Sequence, residues 1–533
     1  LASSPVDSTS PMSTEVAVIC MLVVASAVAM LARRVRVPFT IALVLAGLGI
    51  GAARSVLPAE LFSLHLSESL LMAVLLPALL FEAAFHVNLT DFKANIRIIL
   101  LLALPGVAIG ILLAGGAFSV VLPWFGLEVS LIVACLIGSM LAATDPVSVI
   151  ALFKELGAPK RLALIMEGES LLNDGVAVVA FTALAAAAGY GAQAGQVDAA
   201  WVVQFMVVEI GGGLLIGLMV GAGISWVLAL TDDHMVEITL TTIAAYGAYL
   251  LADYLHASGV ISVVAAGMMC GNFGARHGLS PSSRVTVISF WEYVAFAINS
   301  IVFILIGAEI EFDRLLRALP AAATVFVILL LARAVVVLIA SALSAGREAR
   351  LDAGWRPVLI WGGLRGGISM VLALWLSQHD TERGLAIRDL VFTVVLIVLL
   401  VQGTTIGPLL GRLGLVFACA ERERLATLRA EMKSIKTALG SLDRRLADHA
   451  LSPAAYEVLR QQLAARQAQT EEALEAVSAD DEVLQREIQT VRAELAQVEK
   501  DAIHRIYAKG RISEKIMRKL IEDVDASADH PDP

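Results

Sequence analysis

The sequence predicts an all-α polytopic membrane protein of about thirteen transmembrane helices with an α-helical tail, and three observations carry that prediction. Mean hydropathy is +0.80 and 58% of the 533 residues are hydrophobic, well above a soluble globular chain. Apolar runs of roughly 20 residues, the length that crosses a bilayer, recur to residue 411, whereas barrel strands would be about half as long and alternating. After residue 420 the composition turns: 18 Lys/Arg and 22 Asp/Glu fall in the last 113 residues, against 21 and 27 in the 420 before.

Taken in order, the chain opens on "LASSPVDSTSPM", whose Ser and Pro content predicts a disordered extension over residues 1–14, with Met12 as the natural start. Apolar runs near 15–32 and 38–53 are separated by Arg33, Arg34 and Arg36. Those near 67–86 and 97–121 meet around Lys93 and Arg97, and those near 129–153 and 161–189 around Lys154, Lys160 and Arg161. The runs 201–230, 236–254 and 257–273 have no Lys or Arg between them. Arg276 and Arg284 precede 288–308, Arg314 and Arg317 precede 319–343, Arg347 and Arg350 precede 355–377, and Arg383 and Arg388 precede 389–411.

Lys and Arg in short loops stay on the cytoplasmic side. Alternate loops hold thirteen basic residues against five, which predicts an N-terminus outside, a C-terminus inside and an odd number of spans in a cell (inner) membrane. Residues 412–533 are then a cytoplasmic tail. "LATLRAEMKSIKTALGSLDRRL" and "EVLQREIQTVRAELAQVEKDAIHRIY" carry apolar residues at three- and four-residue spacing, so amphipathic helices are expected, with turns at Leu451–Pro453 and Ser478–Asp481. Cys20, Cys135, Cys270 and Cys419 stand singly and read as packing residues.

Polar groups inside the apolar runs locate the chemistry. "LAATDPVSV" in the fifth run contains Pro146, which denies the Ala142 carbonyl an amide partner and pushes Asp145 out of the helical region. The helix should open over Ala143 to Asp145 and free carbonyls, notably that of Thr144, to line a cavity or bind an ion. A plain proline kink with Asp145 bonded locally is the alternative.

In the sixth run "MEGESLLNDG" puts Glu167, Glu169 and Asp174 into ten residues, and a buried unpaired carboxylate costs several kcal/mol. Ser170 and Asp174 share a helix face, whereas Glu169 and Asp174 are about 140° apart. Asp174, with Ser170 behind it, is placed to face the opened Thr144–Asp145 backbone and offer hard oxygens to a small cation. Glu169 should seek a cation on another helix, and both Arg333 in "LLLARAVVVL" and Arg365 in "WGGLRGGISM" qualify. The glycines around Arg365 permit a second unwound helix seven runs after the first. That spacing fits an inverted repeat with two crossed discontinuous helices whose opposed dipole ends Arg365 tempers.

"ATDPV", "GESLLNDGVAVV", "GVISVVAAGMMCGN", "FWEYVAFAINSIVFILIG", "LARAVVV" and "GGLRGGISMVLAL", in this order, resemble the sodium/proton exchanger family, the monovalent cation:proton antiporter-1 group, over residues 15 to 411. The resemblance implies a homodimer in the lipid bilayer, each protomer with a dimerisation domain and a core that moves in alternating access. It places the family's ion-site aspartate on Asp174, its neutral neighbour on Asn173, its unwound pair on Thr144 and Asp145, and its hydroxyl on Ser170. Na+ would then sit at Asp174, Thr144 and Ser170, and the partner of Glu169 would be Arg333. Glu82, in "LLFEAAF", matches an acidic position that reaches the site through water, or else an entrance carboxylate.

One carboxylate with two mutually exclusive partners, a proton and a cation, gives coupled exchange if the core crosses only when Asp174 is neutralised. Asn173, standing where electrogenic relatives resemble an Asp-Asp pair, makes the expected exchange electroneutral. Na+ or Li+ against H+ is the expected pair, with K+/H+ antiport as the alternative on the same scaffold. No phosphate-binding GxxxxGK[ST] is present, so ion gradients are the expected energy source; no cofactor, enzyme activity or nucleic-acid partner is expected. A channel filter of repeated carbonyls is absent from the sequence, the nine His are scattered, and a signalling tail is an added possibility.

Overall fold

The computed structural model describes residues 11–35, 38–53, 71–145, 147–190, 199–231, 233–275, 281–344, 351–380, 382–415, 419–448 and 450–478, with scattered positions from 499 to 520. No strand occurs among them. The chain divides into two compact units, Leu1–Val416 and Phe417–Pro533.

The first unit begins with α1 (Pro11–Val35) and α2 (Phe39–Ala52). A π-helical turn at Leu71–Leu75 leads into α3 (Leu76–His86). Next come α4 (Leu89–Ala103), capped by the Asn88 side chain on the Thr90 amide, and α5 (Pro105–Val121), which Pro105 separates from it. The helix thus starts eight residues before the apolar run at 97, because a good N-cap extends it through the polar Asp91–Asn95 turn. Then follow α6 (Leu131–Met140), α7 (Val147–Leu156), α8 (Lys160–Ala187), α9 (Ala199–Leu228), α10 (His234–Tyr254) and α11 (Gly259–Met269). The unit ends with α12 (Pro281–Glu309), α13 (Phe312–Leu343), α14 (Arg356–Trp361), α15 (Gly367–His379) and α16 (Gly384–Arg412).

Seven helical stretches among the described residues are long and apolar enough to cross a membrane unaided, α4 and α5 counting as one; the shorter apolar helices include α2, α3 and α6. Small residues set the packing. Gly47 and Gly51 on α2 face α12 at Ile304, Gly307 and Ala308, so closely that a Cβ on Gly47 would collide with the Ile304 carbonyl. This is close approach through small residues four apart, the device membrane helices use where burial from water gives no driving force.

Both sequence-predicted breaks are present. Between α6 and α7, residues Ala143–Asp145 leave the helix; Pro146, the assigned cause, lies outside the described residues. Between α14 and α15, Gly363–Gly366 are non-helical. The two breaks meet, because the Asp145 amide donates to the Leu364 carbonyl at 2.8 Å. A Cβ on Gly366 would collide with the Asp145 side chain, so the crossing requires glycine there.

The second unit contains α17 (Cys419–Ala447) and α18 (Pro453–Ser478). They turn at Ser452, whose hydroxyl accepts from the Ala455 amide at 3.3 Å, and pair through Arg466 to Glu431 at 2.6 Å and the Tyr456 hydroxyl to Asp443 at 2.9 Å. The expected second amphipathic stretch from residue 482 and the turn at Ser478–Asp481 lie outside the described residues, apart from Ser478 and scattered later positions. So do residues 1–10 of the expected extension, whose last four residues, 11–14, fall within α1.

Candidate functional site

The α6–α7 break leaves the carbonyls at the end of α6 without helical partners, and side chains from other helices take them up. Asn173 on α8 donates from Nδ2 to the Ala142 carbonyl at 2.8 Å and to the Thr144 hydroxyl at 3.2 Å. Arg365, from the opposite break, donates to the same Ala142 carbonyl at 2.8 Å, so its cation meets the negative end of α6. The Ser170 hydroxyl donates to the Thr144 carbonyl. The Thr144 carbonyl, released from the helix, thus takes one bond from Ser170, whose hydroxyl four residues from Asp174 points at the same opened backbone.

Asp174 is 9% exposed. Asp145 and Arg365 are its charged neighbours. Its Oδ1 is buried and without a hydrogen-bond partner. A buried carboxylate oxygen without a partner in an apolar helix is costly and calls for an explanation. Asp174, Ser170, Thr144 and Asp145 all line one cavity of about 330 Å³, and Glu82 lines it too, next to His86 at 3.4 Å. The structure therefore brings together all the residues assigned to the ion except Asn173, which stands one step around α8 and holds the backbone instead.

The 140° offset of Glu169 is realised. It is buried, and Arg333 grips it with both terminal nitrogens, one pair at 2.8 Å, while the Arg333 Nε donates to the Leu359 carbonyl at 3.0 Å. Arg365 makes no described hydrogen bond to Glu169, although Glu169 is among its charged neighbours.

Four polar cavity residues were not assigned to the site from the sequence: Glu167, Glu292, Asn299 and His86. A signal existed for two of them, since Glu292 and Asn299 in "FWEYVAFAINS" are seven apart and so share a helix face. With Glu82, Asp145 and Asp174 the cavity collects five carboxylates, a field that concentrates cations and repels anions. Among the described residues no group of three or more His, Cys, Asp or Glu forms a metal-holding cluster. Cys135 and Cys270 are buried and unbridged.

Residues 20–412 match the family model described as "Sodium/hydrogen exchanger, transmembrane". The chain is 40% identical over 410 residues to the Na(+)/H(+) antiporter ApNhaP of Aphanothece halophytica, covering 76% of each. To the low-affinity Na(+)/H(+) antiporter NhaS1 of Synechocystis it is 40% identical over 414 residues, 77% of this chain and 76% of that one. Its fold is similar to that of the sodium proton antiporter MjNhaP1 from Methanocaldococcus jannaschii, with a TM-score of 0.63 at 20% identity, covering 75% of this chain and 99% of that one.

Proposed function

The chain belongs to the sodium/hydrogen exchanger family, and from that premise we propose how the residues around Asp174 perform the exchange of Na+ for H+ across a membrane. Asp174 is the shared site. Na+ and H+ neutralise the same carboxylate oxygens and exclude one another, so each crossing carries one or the other. The observation that supports this is the unpartnered Oδ1 of Asp174, buried beside the meeting point of two helix breaks and lining a cavity rich in carboxylates.

In this reading Ser170, Thr144 and Asp145 supply the remaining oxygens, and Ser170 turns its hydroxyl proton away from the arriving cation while keeping its lone pairs toward it. Asn173 keeps the break open by holding the Ala142 carbonyl. Asn173 is neutral, so one charge moves in each direction and exchange is electroneutral. Glu82, Glu167 and Glu292 feed cations toward Asp174.

The positive-inside bias supports an N-terminus outside and a tail in the cytoplasm, and the cavity residues Glu82, His86 and Glu167 then lie toward the cytoplasm. Thirteen spans, a homodimer and a cell (inner) membrane location complete the reading. The relatives named above are named for Na+, which supports Na+ over the K+ alternative.

The test is proton flux in proteoliposomes on addition of Na+, Li+ or K+. Asp174→Asn, correctly inserted and melting like the parent, should show no cation-dependent flux. Retained flux would remove Asp174 from the site.

A further inference from the structure

Two guanidinium groups lie close together inside the membrane unit, but only one of them has a carboxylate gripping it. Arg333 spends three N–H groups on Glu169 and the Leu359 carbonyl. Arg365 is 8% exposed, has the like charge of Arg333 as a neighbour, and makes one described hydrogen bond, to the Ala142 carbonyl. Arginine carries five N–H donors and cannot shed its charge, so its remaining donors need acceptors at this depth.

Beside the pair lies a void of about 10 Å³ bordered by Arg333, Arg365, Gly363 and, from α16, Gln402. Gln402 is 4% exposed, and its Oε1 is buried with no hydrogen-bond partner. An arginine with one described hydrogen bond and an amide oxygen with none thus border one void. Its volume lies at the lower limit for a water, so direct contact after a small side-chain rotation satisfies both sides best.

We propose that Gln402 is a positioning residue for exchange: its amide carbonyl accepts from the Arg365 guanidinium and holds that cation on the Ala142 carbonyl, away from Asp174. An Arg365 released from this hold is drawn to the Asp174 carboxylate and competes there with Na+. Gln402 touches neither ion. It acts by fixing how much positive charge the ion-binding oxygens feel.

Two arms test the assignment, and only the second rests on the Na+/H+ exchange reading. In the first, Glu169→Gln removes the anion from the arginine pair and Gln402→Glu returns one from the other side. The double variant Glu169→Gln/Gln402→Glu should melt and express well above Glu169→Gln, a rescue that requires residue 402 to face the guanidinium groups. In the second, Gln402→Leu should raise KM for Na+ by about tenfold, the loss of one charge-assisted hydrogen bond, with a smaller change in maximal rate. A double variant melting no higher than Glu169→Gln overturns the proposal, and so does a folded Gln402→Leu with the parent KM. Absence of Na+-driven flux in the parent would defeat the exchange reading and leave the melting arm intact.

Discussion

Exchanging Glu169 for Gln and Arg333 for Met, singly and together, measures what the buried pair is worth. The side chains are 3% and 11% exposed, so neither charge is relieved by water when its partner goes. Breaking such a pair costs about 3 to 5 kcal/mol, and independent losses would sum to about 6 to 10 kcal/mol. Removing both members takes away the stranded charge with the bond. The residual loss in the double variant comes from the Leu359 carbonyl, which Arg333 Nε now satisfies and which would cost about 1 to 3 kcal/mol if orphaned. The singles should not be equal. Arg333→Met leaves Glu169 with Arg365 in reach, whereas Glu169→Gln leaves two neighbouring guanidinium groups without an anion between them, so Glu169→Gln should melt lower. Thermal melting of detergent-solubilised protein, scored as a double-mutant cycle, reads the coupling, and the double variant should retain measurable exchange. Strictly additive losses would refute the reasoning. A stable but inactive Glu169→Gln would instead put that residue on the ion or proton path.

An imposed membrane potential should neither drive nor slow exchange under fixed ion gradients; clear stimulation would mean that a second charge, from Asp145 or Glu82, crosses as well. Gly47→Ala should separate α2 from α12 at the Ile304 carbonyl and cost about 1 to 3 kcal/mol, read as a lower melting temperature; an unchanged melt would show that the contact is slack. At the loop after α15, burial pushes Asp380 up, but the Tyr190 hydroxyl at 2.6 Å, the Arg383 and Glu382 amides and the Arg383 charge outweigh it and hold the carboxyl below its usual range. The depressed carboxyl contributes stability that is present above the unfolded value of about 3.9 and lost as pH falls through the lower folded value. Tyr190→Phe should therefore lower stability at neutral pH by about 1 kcal/mol, discounted for exposure, with the difference from the parent vanishing in strong acid. Burial and Asp380 push the Tyr190 hydroxyl itself up to about 12, so its contribution is full below about pH 10 and lost as pH rises through the folded value. A melting series across pH checks both limits, and a constant difference between variants would contradict them.

Relations within a single helix were legible in the sequence, because 3.6 residues per turn fixes which side chains share a face. Ser170 and Asp174 were paired that way and both line the cavity, while Glu169 was turned aside and is found on Arg333. Local backbone chemistry was equally legible: the Asp145–Pro146 pair and the glycines around Arg365 marked two breaks, and both are open. The rise in charged residues after residue 420 marked a change from apolar chain to amphipathic helices in the sequence itself. What no periodicity encodes is which faces of helices distant in the chain meet. The choice of Arg333 over Arg365 for Glu169, the bond from the Asp145 amide to the Leu364 carbonyl, the capture of the Thr144 carbonyl by Ser170, and the presence of Glu167, Glu292 and Gln402 beside these groups all depend on helix approach distances. Those distances are set by small residues such as Gly47, Gly307 and Gly366, whose effect depends on the partner surface that each one meets.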